Sequence, residues 1–415
     1  MVYERELMHI HNIQKTYSGS NVRLTADVSF QNGFKETIYF SCDKKYASFL
    51  AEDATAFVAT MLLPGLKDGE AVSTDGSVSK KFLKNTTRVM SLLSSWDKSF
   101  KKVEVSAKKL KADTAHGKAV GVFFSGGVDS FYTYLKHRKD ITHFILVHGF
   151  DIAETNSELF EKTAHHIGII AKEEGKELVT VKTNIRKVIE KSVLWDWGHG
   201  SALGAIALLF RPLFAKVFIA GALSYDQLFP YGTHPELDPL WGTETLTLVH
   251  DGNERDRRDK VIDVISHSEL ALNHLHVCPQ NEKGIYNCGK CFKCLWTKMV
   301  LICAGSLDKA KTFDNTIDLE RVSKMYYNYA LNYHMQAESA LRKLQELNRE
   351  PALQQAIRLS LERSKRKPLK KRFSDAVATF DQKYNNRRLY RLLFTMHGSE
   401  RNVVFKLLYR YNLIK

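Results

Sequence analysis

The sequence predicts an α/β protein built on a doubly wound parallel sheet, and three observations carry that reading. From residue 118 onward, short apolar strand-like runs alternate with helical periods. The helical intervals are long enough for right-handed crossovers between parallel strands. The first strand-like run breaks into a double-glycine turn immediately before a helix-like stretch. Strands are predicted at 120–124, 143–148, 178–182, 216–220 and 245–250, with helices at 130–137, 156–174 and 200–209. Ligands of such sheets bind beyond the carboxyl ends of the strands. The segments 125–130, 148–151, 223–241 and 250–254 are therefore expected to border one pocket.

The flanks read differently. Residues 1–112 show strand-like alternation at 22–29 and 36–41, joined through Asn32-Gly33, a hairpin-type turn signal. Helix-like runs follow at 54–63 and 81–96, and a lysine-rich segment at 101–111 closes what reads as a small α+β accessory domain. The central unit spans 118–315. Residues 316–415 read as helices only, with spans at 319–347 and 351–363 separated by the basic stretch 364–372. That last region holds most of the charge: residues 331–415 carry about 19 Lys or Arg against about 7 Asp or Glu, within a chain of net charge +15. A bias of this size offers a docking surface for nucleic acid or an acidic protein, or simply solvated helix faces.

At 415 residues, 44% hydrophobic and 26% charged, the chain has the composition of an ordinary multi-domain globular protein. Its longest apolar stretches fall short of the roughly 20 residues needed to span a bilayer, and the first residues lack the apolar core of a signal peptide. A cytoplasmic location and no membrane partner are expected.

The glycine turn carries the chemistry. It reads Ser125-Gly126-Gly127-Val128-Asp129-Ser130. The glycines let backbone N–H groups approach phosphate oxygens, Ser125 and Ser130 add hydroxyls, and the helix that follows points its positive end at the same place. The Gly-Lys-Ser/Thr ending of kinase and GTPase loops is missing. Asp129 is a candidate for holding Mg²⁺ or for capping the helix. Gly149 and Asp151 follow the second predicted strand, either beside a nucleotide or as a plain strand-to-helix turn.

Six cysteines are present, four of them in the pattern C-x9-C-x2-C-x2-C at Cys278, Cys288, Cys291 and Cys294. Four thiolates at this spacing fit a tetrahedral Zn²⁺ with no position open to water, hence a structural zinc in an insertion of the central unit; an iron–sulfur cluster is the competing reading. Cys42 and Cys303 lie in apolar settings and read as core thiols.

The six-residue loop resembles that of the N-type ATP pyrophosphatases. Together with the cysteine pattern about 150 residues later, it is similar to the 7-cyano-7-deazaguanine synthases of queuosine biosynthesis, the QueC family, over approximately residues 118–310. The resemblance implies an adenine nucleotide alpha hydrolase-like (HUP-type) fold, ATP with Mg²⁺, and structural zinc. It implies cleavage of ATP between the alpha and beta phosphates, adenylation of a heterocyclic carboxylate such as 7-carboxy-7-deazaguanine, and displacement of AMP by an amine to give an amide or nitrile. Ser125, Asp129, Ser130 and Asp226 are the candidate catalytic residues. The loop from Ser125 to Ser130, Val128 included, together with Gly149 and Asp151, is the candidate nucleotide site.

This chain departs from that family in its flanking regions and in the substrate loop. Where the family has Tyr-Pro-Asp-Cys-Arg, this chain reads Ser224-Tyr225-Asp226-Gln227-Leu228-Phe229-Pro230-Tyr231. An Arg-Asn pair usual at the start of the preceding helix appears as His199-Gly200-Ser201, where helix-opening backbone donors could hold a carboxylate. His234 and Glu244 are further candidates in this aromatic loop. His250, Asp251 and Glu254 close the fifth strand, and the charge run 255–260 reads as a solvated helix face. The amine acceptor is ammonia or an amine of a protein or peptide partner. Homo-oligomers are compatible with the sequence. A tRNA-modifying enzyme of sulfur or nitrogen transfer is the alternative, and a non-enzymatic nucleotide-binding protein a third.

Overall fold

A computed structural model describes residues 7–30, 33–114, 116–279, 285–327 and 333–365. The chain divides into two compact units. The first comprises Met1–Cys288 with Ser306–Asp314; the second takes Gly289–Gly305 and, of the described residues, those from Asn315 onward.

The first unit is organised by one ten-stranded sheet. Its strands are β1 (Leu7–Ser18), β2 (Asn21–Ser29), β3 (Lys35–Asp43), β4 (Ala71–Ser79), β5 (Val105–Lys111), β6 (Ala119–Phe123), β7 (His143–His148), β8 (Glu177–Thr183), β9 (Phe214–Ala220) and β10 (Thr247–Asp251), in the order β10-β9-β6-β7-β8-β3-β2-β1-β4-β5. From β6 to β10 every pairing is parallel. Renumbered from β6, the strands lie in the order 5-4-1-2-3, the Rossmann-like arrangement with its switch point between β6 and β9. The predicted α/β class and the five predicted strands are all present, with ends shifted by one or two residues.

Residues 1–112, read from sequence as a separate domain, instead extend this sheet. The hairpin of β2 and β3 turns at Gly33, whose φ of 79° a side chain would resist, and β3 pairs antiparallel with β8 through Phe40, Ser41 and Cys42. Strands β1, β4 and β5 were not visible in the sequence pattern. The lysine-rich stretch expected to end a domain is β5, an edge strand.

Helix α1 (Thr55–Asp68) is buried along twelve of its fourteen residues, and α6 (Trp195–Leu209) is nearly as enclosed. The two pack together although one comes from the N-terminal third and the other from the Rossmann-like half. Both are apolar all round, the signature of a helix sandwiched inside a protein. One continuous core therefore runs from Met8 to Leu248. The remaining helices of this unit are α2 (Lys80–Trp96), α3 (Val128–Lys136), α4 (Ser157–Glu173), α5 (Ile185–Ile189), α7 (Arg257–Asp263) and α8 (Glu269–His274).

The second unit holds α9 (Phe292–Ala304), α10 (Leu319–Ser323), α11 (Tyr333–Glu346) and α12 (Pro351–Lys365), the last starting on proline as a first helical turn permits. Tyr327 is fully buried, donates its backbone N–H to Ser364 Oγ at 2.9 Å and meets Phe292 edge-on. The expected long helix at 319–347 is thus interrupted after Ser323. From residue 366 the basic stretch lies outside the described residues. No helix among the described residues is long and apolar enough to cross a membrane.

Arg211, at the end of α6, binds the first unit together. Its guanidinium is 8% exposed, pairs with Asp53 before α1, and lies 3.1 Å from Asp113 Oδ2 before β6. Asp113 also accepts hydrogen bonds from Thr243 and Thr245. Removing the cation leaves a carboxylate of 4% exposure without its counter-charge. Arg211→Met is therefore expected to cost about 3 kcal/mol, the lower end for breaking a buried pair. Chemical denaturation checks this, and a loss under about 1 kcal/mol would place the pair among weak surface contacts.

Candidate phosphate loop and cysteine cluster

The loop 124–127 leaves β6 at the switch point, where the next strands in sequence run to one side and β9 and β10 lie on the other. Gly126 has φ 75° and Gly127 caps α3 with extended backbone and no side-chain cap. The first backbone bond of the helix is Phe131 N–H to Gly127 O at 2.9 Å. The N–H groups of the turn before it have no carbonyl one turn earlier to meet, so they face the end of the sheet as donors. Opposite them, His276 N–H donates to Gly126 O at 2.8 Å, and a Cβ on Gly126 would meet His276 Cβ at 3.5 Å. The glycine is needed for its backbone angle, since a Cβ would make only an ordinary contact there. Ser125 is exposed at the turn, whereas Ser130 is buried and donates its hydroxyl to Gly127 O at 3.0 Å. Of the two serines expected to face phosphate, only Ser125 keeps its proton free of the loop's own backbone.

Asp129 neither caps the helix nor stands open. Arg257 Nε donates to its Oδ2 at 3.1 Å, with Nη2 closer still, and Lys260 Nζ donates to Oδ1 at 3.2 Å and to Gly221 O at 2.6 Å. Lys260 is wholly buried while the Arg257 guanidinium remains 28% exposed. Burial opposes ionisation of Asp129, but the charges of Arg257 and Lys260 outweigh it and hold the carboxyl at about 2. The charge run 255–260, expected to be a solvated face, thus brings two cations to Asp129 beside the double-glycine loop. The missed signal was spacing: on α7, Arg257 and Lys260 stand three residues apart on one face, with buried Val261 beside them.

The other carboxyl-end loops converge on the same edge of the sheet. Gly149 has φ 114° and a Cβ there would lie 2.0 Å from Thr183 O, so β7 and β8 are knit by a backbone contact only glycine allows. Asp151 and Asp226 are both exposed, Asp226 on a short 3-10 turn whose Tyr225 N–H bonds Asn253 O at 2.8 Å. His199, Gly200 and Ser201 do not open a helix. α6 starts at Trp195, so their N–H groups lie inside it and offer no carboxylate site. Gly200 serves packing instead, since a Cβ would stand 1.7 Å from Gly232 O. His199 Nδ1 donates to Trp195 O (3.0 Å), its Nε2 meets Thr233 Oγ1 (3.2 Å), and burial lowers its pKa. His234 packs edge-on to Trp96 at 4.8 Å.

Three acidic candidates have structural partners. Glu244 accepts from Ser79 Oγ at 2.7 Å and from Lys81 N–H at 2.9 Å, capping α2. Asp251 accepts from Thr133 and Lys136 at 2.9 Å and meets His137 at 3.0 Å, locking β10 to α3. Glu254 accepts from Tyr132 at 2.7 Å, and its hydrogen bonds overcome burial to hold it at about 2.

The four clustered cysteines do come together. One ligand sulfur from each of Cys278, Cys288, Cys291 and Cys294 lies within 4.8 Å of every other. A Zn–S bond of about 2.3 Å in a tetrahedron separates sulfurs by about 3.8 Å, so this donor set could bind zinc. Asn287 shapes the first loop, accepting from Val277 N–H at 2.9 Å and donating to Leu275 O at 2.8 Å, while Cys291 caps α9 with its sulfur 3.5 Å from Cys294 N. Cys42 and Cys303 are buried, 4% and 3% exposed.

No protein-family model matches this chain, and no curated protein or solved structure matches it either.

Two expectations follow from this geometry. Asp129 has a folded pKa of about 2 against an ordinary 3.8, so its stabilisation, about 2 kcal/mol, is complete above pH ~4 and is lost as pH falls towards 2. Acid unfolding of Asp129→Asn should lack that segment, and an unchanged profile would refute the triad. Metal analysis of the purified chain should find about one zinc, and Cys291→Ser should lower zinc content and folding yield together. Iron with acid-labile sulfide in its place would overturn the zinc assignment.

Proposed function

We propose that this chain is an ATP-dependent, adenylate-forming carbon–nitrogen ligase of the QueC-like ATP pyrophosphatase type. It would activate a heterocyclic carboxylate, with 7-carboxy-7-deazaguanine the leading candidate, and release pyrophosphate. An amine, either ammonia or one carried by a protein or peptide, then displaces AMP to give an amide, or a nitrile after further dehydration. The single observation that supports this best is the double-glycine loop at the switch point of a Rossmann-like sheet, with Arg257 and Lys260 gathered beside it. Attack of a carboxylate on a phosphorus atom is limited by charge repulsion, so the site chiefly needs donors and cations held in place. Backbone N–H groups at Gly126 to Val128, the Ser125 hydroxyl and the Arg257 guanidinium fill those roles. Lys260, wholly buried, acts through Asp129 by fixing the helix start.

Among the described residues, no acidic or histidine cluster able to hold an ion accompanies the loop. Mg²⁺ would then enter with the phosphates, as it does where an ion keeps most of its waters and few protein ligands. The closeness of the four sulfurs favours one zinc ion over a multi-iron cluster, and a filled ligand shell makes that zinc structural. The aromatic loop between β9 and β10, with Tyr225 exposed and Phe229 and Tyr231 half-buried, suits stacking on a flat heterocycle.

Sulfur transfer to tRNA fits less well. It needs a reactive thiolate outside the metal cluster, yet burial pushes Cys42 up to about 12 and Cys303 is enclosed in its helical unit.

With Mg-ATP and 7-carboxy-7-deazaguanine, the expected products are AMP and pyrophosphate, measured by nucleotide chromatography and a pyrophosphate assay. Arg257→Ala should reduce turnover by about 100-fold, corresponding to ~2.7 kcal/mol of lost charge stabilisation. ADP and inorganic phosphate as products would eliminate this reading.

A further inference from the structure

His250, near the carboxyl end of β10, sits in an arrangement that phosphate binding does not require. Its neighbour Asp251 points to α3, so alternation along the strand sends His250 to the opposite face. There His250 Nδ1 lies 2.6 Å from Oδ2 of Asp238, with side-chain exposures of 3% and 0%. Asp238 opens the 3-10 turn Asp238–Trp241, and its other oxygen accepts from His234 N–H at 3.3 Å. A carboxylate oxygen accepts, so in the neutral ring a proton on Nδ1 suits this contact and leaves Nε2 as an acceptor.

Nε2 is directed at the end of the neighbouring strand. A Cβ on Gly221 would lie 2.5 Å from it. No hydrogen bond from Nε2 to another described residue occupies it. Gly221 directly follows β9, the strand that pairs with β6, and its carbonyl accepts from Lys260, the same ammonium that holds Asp129 of the phosphate loop. The imidazole edge, 3% exposed and packed where a Gly221 side chain would stand, therefore lies at the carboxyl end of the same sheet as the loop.

We infer that His250 is the general base of the second half-reaction and that Asp238 is its positioning residue, an inference that rests on the adenylation reading above. The amine nitrogen attacks the carbonyl carbon of the acyl adenylate with its lone pair. The bond from that carbon to the phosphate oxygen breaks, and AMP departs with the bonding electrons. The surplus proton on nitrogen passes to His250 Nε2, and the imidazolium so formed is held by the Asp238 carboxylate.

The test compares wild type, His250→Gln and Asp238→Asn in the full chain, using 7-carboxy-7-deazaguanine and three readouts: pyrophosphate–ATP exchange, amide formation with ammonia, and hydroxamate formation with hydroxylamine. Hydroxylamine is a strong nucleophile of low basicity and needs little help with its proton. Amide formation should fall by about 100-fold or more in both variants, the contribution of a general base. Exchange and hydroxamate formation should fall by no more than about threefold, with the amide loss in kcat and not in KM. Nitrogen NMR of the wild-type imidazole should show a proton on Nδ1 and none on Nε2, an assignment lost in Asp238→Asn. A parallel fall of all three activities in folded variants, or a proton on Nε2 in wild type, would overturn the inference in favour of a structural pair. Normal amide formation by His250→Gln would overturn it too while leaving adenylation intact. If wild type shows no exchange at all, the underlying reading fails and the inference falls with it.

Discussion

A lysine ammonium with no exposed surface must be matched by acceptors wherever it is placed, and in this chain Lys260 is placed beside the double-glycine loop that joins β6 to α3. Its acceptors are Asp129 on α3 and the Gly221 carbonyl after β9. One cation thereby fixes the start of a helix, the end of a strand and its own helix α7 relative to one another. An uncompensated buried charge costs several kcal/mol, so these three pieces of backbone keep their separation or the charge loses its partners. The loop inherits its geometry from that requirement. Arg257 shares the same carboxylate, but its side chain stays 28% exposed where that of Lys260 is wholly buried.

The cysteine-bearing segment reaches the same loop from its other side. His276, two residues before Cys278, donates its N–H to Gly126, and Tyr286 stacks on His276 with ring centres 4.5 Å apart. The order of this segment depends on Asn287, whose amide spans Val277, Leu275 and Thr312. Backbone and ring contacts, not charge, make this second brace.

The sequence made some of this visible and concealed the rest for identifiable reasons. Strands β6 to β10 are apolar runs bounded by glycine or polar turns, a pattern that survives without neighbours. The turn at Gly126 and the four cysteines are local in sequence, so their chemistry could be read directly. β4 and β5 could not: AVSTDGSVS and VSAKKLK contain too few apolar residues at alternate positions, and β4 pairs with β1, more than fifty residues away, while β5 pairs only with β4. The join of β3 to β8 is a contact between segments 140 residues apart and has no local signature. Arg257 and Lys260 were hidden because a charged run on a short helix normally faces water; only the buried carboxylate of Asp129 turns that face inward. Asp238 and His250 were likewise separated by twelve residues of aromatic loop and strand. His199 misled through its neighbours, since glycines that end helices elsewhere lie here inside α6 to admit the 232 backbone.

The antiparallel join between β3 and β8 settles where the sheet ends. A Rossmann-like half stopping at β8 would leave a row of unpaired amides along that strand, a template on which another chain could add itself. Here that row is capped by the N-terminal strands, and the boundary moves out to β5, whose Lys108, Lys109 and Lys111 are exposed. Like-charged side chains along an outermost strand repel a second copy approaching edge to edge. The lysines that looked like a linker between domains thus lie on the outermost strand, where like charge disfavours edge-to-edge association, and strands β1 to β5 continue the sheet past β8 and share its core.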